Sequence, residues 1–457
     1  MSRDTSSQNA FLTAPLGAIF VRTALPIIFV MSMNGLLTVV DAIVLGVYVG
    51  ADAVAAVTTV FPIFILTVAL ATLVVGGMAS LVARDLGARR FVEARGVFAG
   101  AHMLSLAIAG LLIALFAAFG DRLVLTLANG PGPLAEMAHD YIAILIVCAP
   151  VQSLLAVQSD ALRCEGRAGL MAILSLLVSL ANLVLNYVLI ALFGWGVAGS
   201  AVATVMAQVL ALGLIVMFRL YGGTELRLSA LLHHNPFTGW KRMIALGSPQ
   251  SLGFLGMALV SVTIMAALRA TATESYQTTV AAYGIITRVM TFALLPLLGL
   301  SQAMQAIVGN NIGAGLKDRA NRMLRLGLIV ALAYCGVVEV IFAGFAGPIA
   351  FVFVSDDAVV DDVARIMPVM VAMYLVSGPL IMLGSYFQAI GDAGRAAILG
   401  LSKPYLFTMP LVAMYAYHFG EPGIWYATPT AEALLLAVAM LVLRKASRQR
   451  SILRQPG

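Results

Sequence analysis

Long apolar runs separated by short clusters of charge set the pattern of this chain. A helix that crosses a bilayer needs about 20 mostly apolar residues. Read from charge to charge, the sequence offers twelve such runs: 18–48, 54–82, 97–118, 139–162, 169–192, 197–218, 244–268, 279–308, 326–347, 366–389, 397–417 and 423–443. They are too long and too continuously apolar for the alternating strands of a membrane barrel. The pattern predicts an all-α membrane protein with twelve transmembrane helices.

The basic residues orient these runs. Cytoplasmic loops carry an excess of Lys and Arg. With both termini placed in the cytoplasm, nearly all of the 27 Lys and Arg fall inside, Arg395 and Lys403 among them. Only Arg122, Arg269 and Arg365 fall outside, and Arg288 falls within a run. An opposite loop is acidic, with Asp356, Asp357, Asp361 and Asp362. The N-terminal sequence lacks the basic stretch, short apolar core and small-residue cleavage site of a signal peptide, so the first run is expected to be retained.

Composition agrees with the pattern. Hydrophobic residues make up 61% and charged residues 11%, against about 25% charged in soluble domains. Soluble enzymes, nucleic-acid binders and disordered chains are thereby excluded. Three cysteines, Cys148, Cys164 and Cys335, show neither a disulfide frame nor metal-ligand spacing. His233 and His234 lie in a polar loop and are expected to be solvated. No metal and no cofactor is expected.

An internal repeat divides the chain. Val54-Ala55-Ala56-Val57 recurs as Val280-Ala281-Ala282-Tyr283, an offset of 226, and Gly87-Ala88 meets Gly313-Ala314 at the same offset. Gly166-Arg167-Ala168 meets Gly394-Arg395-Ala396 at offset 228. Gly199, Ala203, Thr204 and Ala207 meet Gly423, Ala427, Thr428 and Ala431 at offset 224. Six helices per half give both halves one orientation, related by a pseudo-two-fold axis along the membrane normal. This is one architecture of secondary transporters. The expected organisation is an N-lobe at 1–219, a cytoplasmic linker at 220–242, a C-lobe at 243–445 and a basic tail at 446–457.

Polar residues inside apolar runs are expensive and are functional candidates by default. Asn34, Thr38 and Asp41 stand at i, i+4 and i+7 of the first run and share one helix face. A polar face with one carboxylate suits reversible binding of a proton or cation. Asn182 and Asn186 share a face of the fifth run; Thr204 and Gln208 share one on the sixth, Gln208 read as interhelical glue. Arg288 and Glu432 are read as partners or as lining a cavity, and Glu339 as snorkelling or facing a crevice. Asp160 is expected at an interface, paired with Arg163. Pro26 can bend the first helix and serve as a hinge. No P-loop, HExxH or GxSxG motif occurs, so neither direct use of ATP nor enzymatic catalysis is expected.

Several segments resemble the multidrug and toxic compound extrusion family, in its bacterial multidrug-pump branch. They include Leu25-Pro26, Val40-Asp41-Ala42-Ile43-Val44-Leu45-Gly46, Gly76-Gly77-Met78-Ala79-Ser80 and Asn182-Leu183-Val184-Leu185-Asn186. Gly309-Asn310-Asn311-Ile312-Gly313-Ala314 and Phe387-Gln388-Ala389-Ile390-Gly391 are the most specific. The resemblance runs from about residue 20 to 440. It implies two six-helix lobes in the inner membrane, alternating access, and export of organic cations in exchange for protons or sodium ions. It also implies an ion-coupling role for Asp41, a bend at Pro26, and cavity positions at Asn182 and Thr204.

Two departures matter. Asn186 stands where the family usually has a second aspartate, and the seventh and tenth runs hold no acid. One carboxylate alone suits a proton better than sodium. A monomer with small amphipathic substrates, cations foremost, and membrane lipid as its partners is expected, with no nucleic acid. A flippase for lipid-linked precursors, from the same superfamily, should carry several cations inside the runs, and a major-facilitator transporter should carry a GxxxDRxGR loop. The first is the stronger alternative.

Overall fold

The computed structural model describes residues 9–128, 130–271 and 276–452. Residues 453–457 of the basic tail, like Arg3 near the other terminus, lie outside the described residues. Among the described residues every regular element is a helix. A short α1 (Ala10–Thr13) precedes α2 (Leu16–Tyr48), α3 (Ala51–Gly87) and α4 (Phe91–Leu127). Then come α5 (Pro133–Val147), α6 (Ala149–Cys164), α7 (Ala168–Asn186), α8 (Gly196–Tyr221) and the short α9 (Ala230–His233). The second half holds α10 (Trp240–Thr271), α11 (Tyr276–Gly313), α12 (Lys317–Gly344), the short α13 (Ala346–Phe351), α14 (Asp357–Val371) and α15 (Tyr374–Ile390). It ends with α16 (Ala393–Leu401), α17 (Met409–Phe419) and α18 (Glu421–Ile452).

Among the described residues ten helical stretches are long and apolar enough to cross a membrane, and two bent pairs make twelve when each pair is one span. Each bent pair covers one expected run, 139–162 or 366–389, as a span broken in the middle rather than a continuous helix. α5 and α6 meet at 49°, and α14 and α15 at 47°. Pro150 lies in the first turn of α6 and cannot donate to the helix before it. At the second break Met373 takes φ 87. Glu339 of α12 accepts the freed Leu375 N–H at 2.6 Å and the Met373 N–H at 3.4 Å. Glu339 therefore neither snorkels nor stands free in a crevice; it caps a broken helix. The two breaks recur at the repeat offset, as do the ends of α3 and α11.

The chain packs into two compact units. The first comprises Met1–Ser251, Gln305–Ala320 and Ala389–Gly391; the second comprises Leu252–Met304, Asn321–Gln388 and Asp392–Gly457. In the first unit α2 packs on α7, α7 on α8, and α3 on α4, α5 and α6. Its small residues let backbones touch. A Cβ on Gly87 would run into the Asn310 carbonyl, and one on Gly313 into the Arg84 carbonyl. These pairs are mates under the 226 offset, so the ends of α3 and α11 clasp each other symmetrically. Nearby, Arg319 donates to the Phe11 and Ala14 carbonyls, and Asn311 donates to Phe11 at 3.1 Å. Phe11 is buried there.

The 220–242 linker is held against the ends of α6 and α8. Leu226 is fully buried, its N–H donating to Glu165 Oε1 at 2.9 Å. Arg219 donates to Glu165 Oε2 at 3.2 Å and to the Leu226 carbonyl at 2.8 Å. Burial pushes the Glu165 carboxyl up, and Arg219 pulls it back in part. Trp240 Nε1 donates to the Gly100 carbonyl, and Gly100 leaves room for Thr238.

Candidate functional site

Unit 1 gathers four of the polar candidates into one chain of hydrogen bonds. α2 carries Asp41, α7 carries Asn182 and Asn186 one turn apart, and α8 carries Thr204. Asn186 Nδ2 donates to Asp41 Oδ1 at 2.5 Å and to Asn182 Oδ1 at 3.2 Å. Asn182 Nδ2 donates to Thr204 Oγ1 at 3.2 Å, and Thr204 donates on to the Ser200 carbonyl. Both asparagines are buried, and Asp41 is half-buried. Asn186 Oδ1 is left buried without a partner. Just beyond Asn186 the chain widens into a π-turn, Tyr187–Leu192. Such turns are rare and often accompany functional sites. The layer beneath is apolar: Leu45, one turn after Asp41, packs with Ile190 and Tyr141.

The other candidates are placed differently. Asn34 and Thr38 are exposed on α2, and Thr38 hydrogen-bonds only to the Asn34 carbonyl. They stand outside the Asp41 cluster. Gln208 is half-buried on α8. Pro26 lies inside α2 beside the buried Ile27. Arg163, almost fully buried, donates from Nε to Asp160 Oδ1 at 2.6 Å, as expected of that pair.

Unit 2 holds a cluster that the sequence pattern hid. Glu432 of α18 is buried, and its Oε1 accepts from Ser377 Oγ of α15 and from Lys403 Nζ. Glu432 Oε2 has no partner. Lys403 sits in a second π-turn, Ser402–Thr408, inside the Ala393–Phe419 span. Of the two readings for Arg288 and Glu432, partners or cavity lining, the first is corrected: Glu432 pairs with Lys403. Lys403 itself moves from a cytoplasmic loop into a span. The apolar run 397–417 already contained Lys403, but the count of cytoplasmic charges assigned it to a loop. Arg288 is exposed on α11.

The chain matches the MatE family over residues 26–188 and again over 251–415. The chain belongs to the MatE family. The two matches start 225 residues apart and end 227 apart, which is the internal repeat seen in the sequence. A protein of Shewanella oneidensis called "FAD transporter" is 26% identical over 443 residues, covering 95% of this chain and 96% of that one. The multidrug export protein MepA of Staphylococcus aureus is 21% identical over 435 residues, covering 95% and 94%. A solved structure described as the outward-facing conformation of a multidrug resistance MATE family transporter superposes with TM-score 0.89 at 23% identity, covering 99% of this chain and all of that one. This MatE chain is a multi-pass membrane transporter of small molecules, not an enzyme.

Proposed function

We propose that this MatE protein is a secondary antiporter. It exports amphipathic organic compounds, cations foremost, across the cytoplasmic membrane by alternating access, driven by inward proton flow through Asp41. The observation that carries this reading is a single carboxylate at the head of the Asn186–Asn182–Thr204 chain. Asn186 directs both amide hydrogens to oxygen acceptors and leaves its own oxygen idle. A carboxylate needs donors, whereas a carboxylic acid presents an O–H and needs an acceptor. Rotation of the Asn186 amide offers one or the other. The same side chain can then serve both charge states of Asp41, as a proton carrier requires. Sodium would favour a second negative oxygen at position 186, which is an amide here. On this reading the protein acts as a monomer, its basic end faces the cytoplasm, and Pro26 lets α2 bend as Asp41 changes charge.

The test is efflux of a fluorescent organic cation from proteoliposomes under an imposed pH gradient and, separately, a sodium gradient. We expect proton-driven efflux that Asp41→Asn abolishes. Efflux driven only by sodium, or untouched by the substitution, overturns the assignment. The lipid-precursor flippase reading is weakened because Lys403 is neutralised by Glu432. A second reading, a flavin nucleotide as substrate, is favoured by the relative named for FAD.

A further inference from the structure

Arg288 lies roughly three turns into α11, inside an apolar span. It is exposed, and among the described residues no hydrogen-bond or ion-pair partner meets it. Within the spans of unit 2, Lys403 is paired with Glu432, and Arg365 with Asp362 and Glu421. Arg288 thus carries a net positive charge.

The face that bears it is not a lipid face. Gln277, Ala281, Arg288, Thr291 and Phe292 form one exposed helical stripe, with Gly284 between them. A Cβ on Gly284 would meet open space. Compare α12, whose exposed side presents Ile329, Leu332, Val337 and Val340. That is a surface built for acyl chains. The α11 stripe mixes amide, hydroxyl and guanidinium with Ala281 and Phe292, and its guanidinium calls for water, because an unpaired charge in hydrocarbon at this depth is costly. The repeat supports the distinction. Position 288 is the mate of Pro62, which is also exposed, on α3 with Ala55, Thr58 and Leu66. Both halves therefore present this stripe, and only the second carries a charge on it.

We propose that Arg288 is a specificity-determining residue of the transport path, which recognises a phosphate or carboxylate borne by a flat aromatic substrate. A guanidinium offers paired N–H donors that match the oxygens of either group. Phe292, one turn away on the same stripe, offers a ring for stacking, and Gly284 leaves room for it. The inference deepens the transport reading above and rests on it for its place in a path. It adds anionic and zwitterionic compounds to the cations that Asp41 attracts.

Flavin mononucleotide and riboflavin differ by one phosphate and serve as the probes. Binding to the full chain in phosphatidylcholine vesicles is read from flavin fluorescence, for wild type, Arg288→Gln and Arg288→Lys. We expect the wild type to bind the nucleotide at least tenfold more tightly than riboflavin. Arg288→Gln should erase that preference without weakening riboflavin, and Arg288→Lys should keep part of it. Equal binding of the two flavins by the wild type, or a preference that survives Arg288→Gln, overturns the proposal. So does a preference abolished by adding phosphatidylglycerol, since Arg288 would then hold a lipid headgroup. The readout needs no proton gradient, so its failure is separable from failure of the Asp41 assay.

Discussion

At the scale of single residues, the site turns on Asn186. It holds the place where a second acid would double the negative charge, and it links Asp41 to Asn182 and Thr204. A hydrogen bond to a charged group contributes about 1.5–3 kcal/mol. Asn186→Leu removes that bond and leaves Asn182 Oδ1 and Asp41 Oδ1 each without this donor. Proton-driven efflux should fall about tenfold or more, as about 1.4 kcal/mol is a factor of ten. Asn186→Asp should act differently: two facing carboxylates attract a metal cation, so efflux should acquire a response to a sodium gradient. Initial rates under the two gradients check both expectations. A wild-type rate in Asn186→Leu would show that the amide is only packing.

At the scale of elements, small residues and broken helices decide the shape. The symmetric clasp of α3 and α11 depends on Gly87 and Gly313, where a Cβ would meet backbone rather than a flexible side chain. Backbone cannot yield cheaply, and overpacking costs about 1–3 kcal/mol or more. Gly87→Val and Gly313→Val should each lower the melting temperature in detergent and slow transport. Gly110→Ala on α4, with nothing near its Cβ position, should leave both unchanged or raise stability. If all three behave alike, the clasp carries no special load. The elements also show what a sequence can tell. Twelve apolar runs predict twelve spans, because span length is set by the bilayer and needs no partner. The Pro150 break has a local sign. The break at Met373 has none, since its free N–H groups are met by Glu339 from another helix. The i, i+4 spacing places Asn182 and Asn186 on one face, yet Asn34 and Thr38 share that kind of spacing and remain outside the cluster. Helical spacing says which residues share a face, not what the face meets. For the same reason Lys403, Glu432 and Ser377 could not be joined from sequence.

At the scale of the whole molecule, duplication explains both what the halves share and where they part. Element ends, helix breaks and the exposed stripes of α3 and α11 recur at one offset, because each half repeats one pattern of spans. The polar chemistry does not recur: one unit carries Asp41 with amides, the other a Lys403–Glu432 pair and a lone Arg288. Six spans per half also fix the orientation of every loop once one is known. The basic residues favour a cytoplasmic position for the Ser229 stretch. The acidic stretch at Asp357 then belongs outside. Both residues are exposed, so each can report by labelling. Cys148, Cys164 and Cys335 would first be replaced by alanine to remove background. A membrane-impermeant maleimide added to intact cells should then label Asp357→Cys, while Ser229→Cys should react only after lysis. The reverse pattern would invert the molecule and with it the direction of proton flow through Asp41. Labelling of both from outside would break the count of twelve spans, because three spans, α10, α11 and α12, separate the two residues, and an odd number of crossings puts them on opposite sides.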